Sequence, residues 1–429
     1  MQAGVAKVEI SASPSVVGAE MAGYGKRRGG AVSVHDPLFV RALVLEHDHA
    51  PLAICSVDLC HVGEDVVADA RERIAHETRI APERVFVSAS HTHSAPLDIA
   101  GWPDGGLAGF IAAAVARASE RLQPARAGVG WGMLHGHAVN RRRLEDPVDP
   151  AVFVIRIDAA DGAPLGLYYA HGCHPVVLGS DNREVSGDWP SHSSRVVEAH
   201  LGADAVALFG QGSSGDVNPL TEGMRERFAR ARRTLGLAEA AVYYESDGAG
   251  EDFHADDRVG GAFAEVEQIG DAVAEEVMRV ARGIATQDVS RLWTRQLPVA
   301  GGVITSDPPS GLPRPRVAPG QPLELMLVGI DGPDAILVGV PGEVFGETGV
   351  SLRHDLRAAG VRHPFVVTQA NGRRGYLPPR HAFPDGGYEV VWARSMGFTE
   401  RLQDDIRSAV LDAVRALPAS GEPSVPRVR

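Results

Sequence analysis

The sequence has very little cysteine: three residues in 429, Cys55, Cys60 and Cys173. That excludes a disulfide framework and fits a reducing compartment. No run approaches the roughly 20 apolar residues that a membrane helix needs. Positive charge is in deficit, with a formal net charge of -13 and no basic stripe. A chain this acidic has no general attraction for nucleic acid or anionic lipid. The opening MQAGVAKVEIS lacks the charged-then-apolar pattern of a secretory leader, so a cytoplasmic location is expected. No internal repeat is found. What remains is ordinary for an enzyme-sized globular protein, with 44% hydrophobic and 23% charged residues.

Short apolar runs predict buried strands at Phe39–Val44, Leu52–Val57, Val85–Ser88, Val152–Ile157, Leu165–Tyr169, Ala205–Phe209, Ala335–Val340 and Phe365–Thr368. Helical spacing recurs at Ile111, Val115, Ala118 and Leu122, and again at Ile269, Val273, Val277 and Val280. A third set, Leu402, Ile406, Val410 and Val414, follows Thr399 as a capping residue. Strands alternating with helices predict an α/β fold, one large domain over residues 1–417 with mixed sheets flanked by helices. Gly301–Leu323 reads as a Pro/Gly-rich surface loop, Asp247–Asp257 as a mobile acidic segment, and 418–429 as a disordered tail.

The unusual polar segments sit just after apolar runs. VFVS leads into ASHTHSAP, LGLYYA into HGCHPVVLG, AVALFG into QGSSGDVNP, AILVGV into PGEVFGE, and FVVTQ into NGRRGY. In open α/β sheets ligands bind beyond the carboxyl ends of the strands. Five such segments are therefore expected to meet at one pocket.

Each segment carries chemistry and a plainer alternative. His91 and His93, two apart, share one side of an extended chain, as ligand and neighbouring catalytic group or as surface histidines in a Ser/Thr-rich turn. His174 is held extended by Pro175, with His171 as a competing ligand and Cys173 read as core packing. Asp188 reads equally as a helix cap, with Pro190 in the first turn, or as a site residue. Gly212, Ser213, Ser214 and Gly215 suit a cradle for a substrate carbonyl or oxyanion, or a plain glycine-rich loop. Glu343 follows a buried strand, where a carboxylate must be paired or metal-bound, with Glu347 as alternative. Tyr376 and Tyr388 lie on a Pro/Gly-rich loop, as rare metal ligands or as packing rings.

The ordered set ASHTHSAP, CHPVVLG…DNREVSGDWP, QGSSGDVNP, PGEVF and GY with a second Tyr twelve positions on resembles the neutral/alkaline non-lysosomal ceramidase family. GYG around Tyr24, VHDPLFVRALVLE and VNRR at Asn140 and Arg141 extend the resemblance from about Gly4 to Leu417. The resemblance implies a zinc-dependent amidohydrolase on an α/β scaffold. It implies one zinc ion held by His91, His174, Glu343 and Tyr376, with His93, Arg141 and Tyr388 around the scissile amide. Family ceramidases carry a serine before the proline where this chain has Asn218. An amide can donate to a carbonyl oxygen but cannot act as a nucleophile, so water activated at the metal is the expected route. The family's ceramidases continue into an immunoglobulin-like C-terminal domain, and this sequence stops one helix on. A smaller, soluble N-acyl substrate is therefore expected rather than ceramide. Alternative readings are hydrolysis of an ester, lactone or phosphoester, the last with a second metal at Asp58, His93 and Asp188, or a binding protein without catalysis. The sequence does not give an oligomeric state.

Overall fold

The computed structural model describes residues 1–25, 27–97, 105–143, 145–226, 260–302, 320–331 and 334–417. The acidic segment 247–257, the tail 418–429 and most of the loop 301–323 lie outside the described residues.

Strand β1 (Gln2–Glu9) opens a short β2 (Ser33–Val34) and the hairpin β3 (Phe39–His47) and β4 (Ala50–Val57). The hairpin turns at Asp48 and His49, both left-handed at φ 52° and 61°. Two successive residues of positive φ match the right-handed twist of the flanking strands. After helix α1 (Glu64–Glu77) comes β5 (Val85–Ala89), then α2 (Gly106–Ser119). Next are β6 (Gln123–Met133), β7 (Ala138–Asn140), β8 (Ala151–Ala159), β9 (Pro164–His171) and β10 (Glu184–Val185). Helix α3 (Asp188–Leu201) leads to β11 (Val206–Gln211) and β12 (Val217–Pro219), and α4 spans Phe263–Arg282. A second sheet uses β13 (Arg291–Val299), β14 (Leu323–Asp331), β15 (Ala335–Gly339) and β17 (His363–Val367). Short β16 (Glu343–Val344) pairs with β18 (Tyr376–Leu377). Helices α5 (Gly346–Ala358), α6 (Ala382–Asp385), α7 (Tyr388–Ser395) and α8 (Leu402–Arg415) complete the described elements.

The main sheet is mixed, in the order β11-β9-β8-β6-β1-β3-β4-β5, and the second runs β13-β14-β15-β17. Its two halves join at β1 and β6 through only two residue pairs, Gln2 with Pro124 and Ala3 with Gln123. Alternation along each strand sorts the side chains. On β3, Val40, Ala42 and Val44 pack into the core shared with α1 and α2. Leu43 and Leu45 turn the other way, into a core that also holds Phe153 and Tyr168 of the other half and Met326, Leu337 and Phe365 of the second sheet. Helices α3 and α4 cover the outer face of β8, β9 and β11. Helices α5, α7 and α8 cover the outer face of the second sheet. This is the expected α/β class, with mixed sheets flanked by helices.

All eight expected strands form. Four long ones were not legible. β6 contains Gly128, Gly130 and Gly132, which read as breakers. A Cβ on Gly128 or Gly130 would stand within 2.8 Å of the Ile284 side chain, and one on Gly132 2.0 Å from Glu276 Oε1. These glycines admit α4 and the residues after it against the strand backbone. β13 is an edge strand, with charged residues and Pro298, and among the described residues pairs only with β14. The Thr399 cap also shifts: α8 begins at Leu402, and the Thr399 hydroxyl accepts from the Arg401 N–H at 3.4 Å.

Candidate metal centre

Three parallel strand pairs, β4 with β5, β9 with β11 and β15 with β17, bring their carboxyl ends to one place. Backbone bonds sew these ends together: Ala89 N–H to Gln369 O at 3.1 Å, Thr368 N–H to Gln211 O at 2.8 Å, and Asn371 N–H to Val87 O at 2.7 Å. His91 (φ 71°), Asp188 (φ 53°), Gln369 (φ 52°) and Asn371 (φ 58°) are left-handed in and beside this junction. Such backbone costs energy outside glycine and gathers where a structure must aim side chains. Asn tolerates it best, and the Asn371 side chain also accepts from the Val87 N–H at 2.9 Å.

His91 Nε2 lies 3.2 Å from His174 Nε2 and 3.3 Å from Glu343 Oε2, and His174 Nε2 lies 3.1 Å from Glu343 Oε2. All three side chains are buried. A tetrahedral ion with bonds of about 2.0–2.1 Å has ligand–ligand edges of about 3.3 Å. The three donor atoms form one face of such a tetrahedron. The outer ring nitrogens are committed: His91 Nδ1 faces Cys60 O at 2.7 Å, and His174 Nδ1 faces Val217 O at 3.2 Å. Donating there leaves both Nε2 lone pairs aimed at the centre, the arrangement that orients metal-binding histidines. The electrostatics agree. Burial, helped by the charges of Arg141 and His91 and opposed by Glu343, lowers His174 to about 4, disfavouring its protonated form. Burial opposes charge on His91 and Glu343 too, but each outweighs it for the other, raising His91 and lowering Glu343. A divalent ion at this point would stabilise the Glu343 carboxylate as the His91 charge does.

Tyr376 stands opposite Glu343 in the parallel β16–β18 pair. Burial holds its phenol well above the usual range against the pull of Arg141, so ionising it requires a nearby cation. His93 reaches the same centre, its Nε2 3.5 Å from His91 Nε2. The reason is not an extended chain, because His91 is left-handed. The turn at His91 swings both rings inward, and the edge of Tyr24 meets the His93 ring at 5.2 Å between centroids.

Arg141 lies 5.4 Å above the Tyr376 ring, and its guanidinium donates to Glu389 Oε1 at 2.9 Å and to Asn218 Oδ1 at 3.4 Å. Tyr388 packs edge-on to Tyr376, with its oxygen accepting from the Trp392 N–H at 3.1 Å. The glycine-rich segment is tied down. Gly212 N–H donates to His171 O and Gly215 N–H to Val344 O, so neither amide serves a cradle. The Ser214 hydroxyl accepts from Gln211 at 2.6 Å, and the Ser213 hydroxyl is buried without a hydrogen-bond partner.

Several alternatives separate from the centre. His171 turns its Nδ1 to Ala151 O at 3.0 Å and its ring toward Trp189. Cys173 packs in the core under α3 and α4. Glu347 is exposed and pairs with His381 at 2.9 Å. Asp58, His93 and Asp188 do not gather as a metal-ligand group among the described residues. Asp58 is buried against Arg41 at 2.6 Å, and Asp188 accepts from the Leu178 and Trp189 N–H groups at 3.1 and 2.7 Å. Asp188 is thus the first residue of α3 and ties it to Leu178, while the N-cap position falls to Gly187, so the cap expected at Asp188 is not formed. Its burial, only partly offset by those donors, pushes its carboxyl up to about 7. The folded state then binds a proton that the unfolded chain releases near pH 4, so stability falls as pH rises from about 4 to 7. Asp188→Asn is expected to remove this slope, about 1.4 kcal/mol per pH unit at its steepest. Urea unfolding of both proteins at pH 5 and pH 8 tests it; a gap that does not change with pH contradicts it.

Residues that the sequence did not single out are Cys60, His61, Asp216, Arg373 and Glu389. The signal for the first two was present, since DLCHVG follows the apolar run of β4 as the other segments follow theirs.

A family model described as neutral/alkaline non-lysosomal ceramidase, N-terminal, matches residues 1–231. The chain belongs to the neutral/alkaline non-lysosomal ceramidase family. Neutral ceramidase A of Dictyostelium discoideum is 28% identical over 244 residues, covering 47% of this chain and 34% of its own length. Neutral ceramidase of Pseudomonas aeruginosa is 23% identical over 460 residues, covering 90% of this chain and 68% of its own. The chain therefore spans about a third of one relative and two thirds of the other. A solved ceramidase complexed with C2 superimposes with a TM-score of 0.75 at 18% identity, over 99% of this chain and 77% of that one. The crystal structure of the Pseudomonas aeruginosa neutral ceramidase gives 0.74 at 19%, over 97% and 74%. The family fold thus extends past residue 231, through the segments that bear Glu343, Tyr376 and Tyr388. No described helix is long and apolar enough to cross a membrane.

Proposed function

We propose that this ceramidase-family chain is a single-zinc hydrolase of a carboxamide bond, acting on a soluble N-acyl compound. The observation that carries the reading is the triangle of His91, His174 and Glu343, with donor atoms 3.1–3.3 Å apart and both outer imidazole nitrogens anchored. Tyr376, opposite Glu343 in the strand pair, would serve as a weaker fourth ligand. When bound, zinc lowers the pKa of a coordinated water toward about 7 and polarises the amide carbonyl. His93 takes the proton from the attacking water and returns it to the departing amine. Arg141, held by Glu389, and Tyr388, held by Trp392, face the developing oxyanion. Asn218 lies beside Arg141, where its amide orients the carbonyl. A serine-acyl route is closed because position 218 offers no hydroxyl. A cytoplasmic location remains part of the proposal.

The test is a metal-replete screen of N-acyl compounds, graded by chain length and amine part and read by mass spectrometry. Release of free acid and amine from at least one series is expected; hydrolysis only of esters or lactones would overturn the assignment. His93 offers a further check. Gly23 is left-handed at φ 97°, and a Cβ there would lie 2.4 Å from the His93 ring. Gly23→Ala is expected to keep its metal but lose roughly 10- to 100-fold in kcat by displacing that imidazole. An unchanged kcat in a folded variant would remove His93 from the mechanism.

A further inference from the structure

Four arginines flank the centre, and three are neutralised. Arg141 and Arg142 share Glu389 at 2.8 and 2.6 Å, and Arg374 pairs with Glu64 at 2.7 Å. Arg373 has no ion pair among the described residues. It is 91% buried by its 9% exposure, and its Nη2 has no hydrogen-bond partner. It precedes Tyr376 by three residues, on the segment whose Asn371 N–H bonds Val87 O at 2.7 Å and whose Gly375 O accepts from the Glu343 N–H at 2.8 Å, so its backbone runs beside the metal triangle. The neighbouring His61 can offer no counter-charge, since an imidazole is neutral or cationic. Burial and Arg373 together keep its ring neutral.

A buried guanidinium without a counter-ion is costly, and proteins keep one where a ligand completes it. A divalent ion held by one carboxylate would leave the centre positive even before Arg373 is added, despite the chain's overall charge of -13. An anion beside Arg373 would offset its charge. The planar fork of arginine matches a carboxylate with two parallel hydrogen bonds.

We infer that Arg373 is the specificity residue for a carboxylate on the substrate's amine side, so that the substrate class is N-acyl amino acids. This rests on the amide-hydrolase reading above. Arg373 binds the carboxylate, the neighbouring amide carbonyl then faces Arg141 and the metal, and His93 serves the scissile nitrogen.

The experiment compares N-hexanoylglycine, N-hexanoylglycinamide and hexanoate on the zinc-loaded chain, by titration calorimetry and by turnover. N-hexanoylglycine is expected to bind and turn over at least about 100-fold better than the neutral glycinamide. Arg373→Met is expected to erase that preference by weakening the acid alone about 100-fold, and Arg373→Lys to restore part of it. If Arg373→Met does not fold, the wild-type preference still decides. Equal handling of acid and glycinamide by the wild type overturns the proposal and leaves the amide reading intact. An equal loss on both substrates in Arg373→Met also overturns it, making Arg373 an oxyanion group instead. Hexanoate binding as tightly as N-hexanoylglycine, with equal sensitivity to Arg373→Met, assigns the site to the released acid and overturns the substrate class. Binding of N-hexanoylglycine through Arg373 without any amide cleavage sustains the anion site and defeats the amide reading.

Discussion

Glu343→Gln is expected to lower amide hydrolysis by about 1,000-fold or more, with metal content falling below one ion per chain. The neutral amide removes the single anionic charge that faces both imidazoles, at 3.3 Å from His91 and 3.1 Å from His174. Without it, a divalent ion keeps two neutral nitrogen donors and a phenol that burial holds protonated. The affinity goes, and with it the electrostatic stabilisation that commonly accounts for two to three orders of magnitude or more. The control is four residues away. Glu347→Gln removes an exposed carboxylate that pairs with His381 and touches nothing at the centre, so activity and metal content should match the wild type. Assaying both variants with measured metal content separates the two carboxylates. Full turnover by a metal-free Glu343→Gln protein contradicts the account.

Glu389→Ala is expected to destabilise the fold by about 3–5 kcal/mol, the scale for breaking a buried ion pair. The Glu389 side chain is fully buried, with one oxygen 2.8 Å from Arg141 and the other 2.6 Å from Arg142. Removing it leaves two guanidinium groups without their shared counter-ion. The cost is not paid by stability alone. Arg141 also packs over Tyr376 and contacts Asn218, and release from Glu389 lets it pair with Glu343, whose charge it already feels. Such a shift competes directly with metal binding. Urea unfolding measures the first effect, and zinc affinity of the folded fraction measures the second. A loss under 1 kcal/mol with unchanged affinity would mean that water replaces the carboxylate and that Arg141 needs no anchor.

Much of this was legible because buried strands announce themselves. VFVS, LGLYYA and AILVGV are short apolar runs with β-branched residues, and the polar segments after them are where α/β sheets place chemistry. The residues that the ligand reading required, His91, His174 and Glu343, fall at three of those strand ends. What was hidden is what depends on three-dimensional partnership. The glycines of β6 look like breakers until α4 is seen lying on them. Only the fold reveals that Glu389 is locked between two arginines and that Arg373 has no ion pair among the described residues. The pairing rule for His91 and His93 reached a sound pairing from an unsound premise, since the backbone between strand and ring is left-handed rather than extended. In the glycine-rich segment 212–215, tertiary contacts consume the Gly212 and Gly215 amides that composition seemed to leave open.

X-ray absorption at the zinc edge, on protein purified without chelator and quantified by mass spectrometry, tests the central claim most directly. The account predicts one zinc per chain, with nitrogen and oxygen neighbours at about 2.0–2.1 Å, and a spectrum lost in His174→Ala. A chain that carries no metal and still cleaves its amide, or one whose zinc signal survives that substitution unchanged, would contradict it.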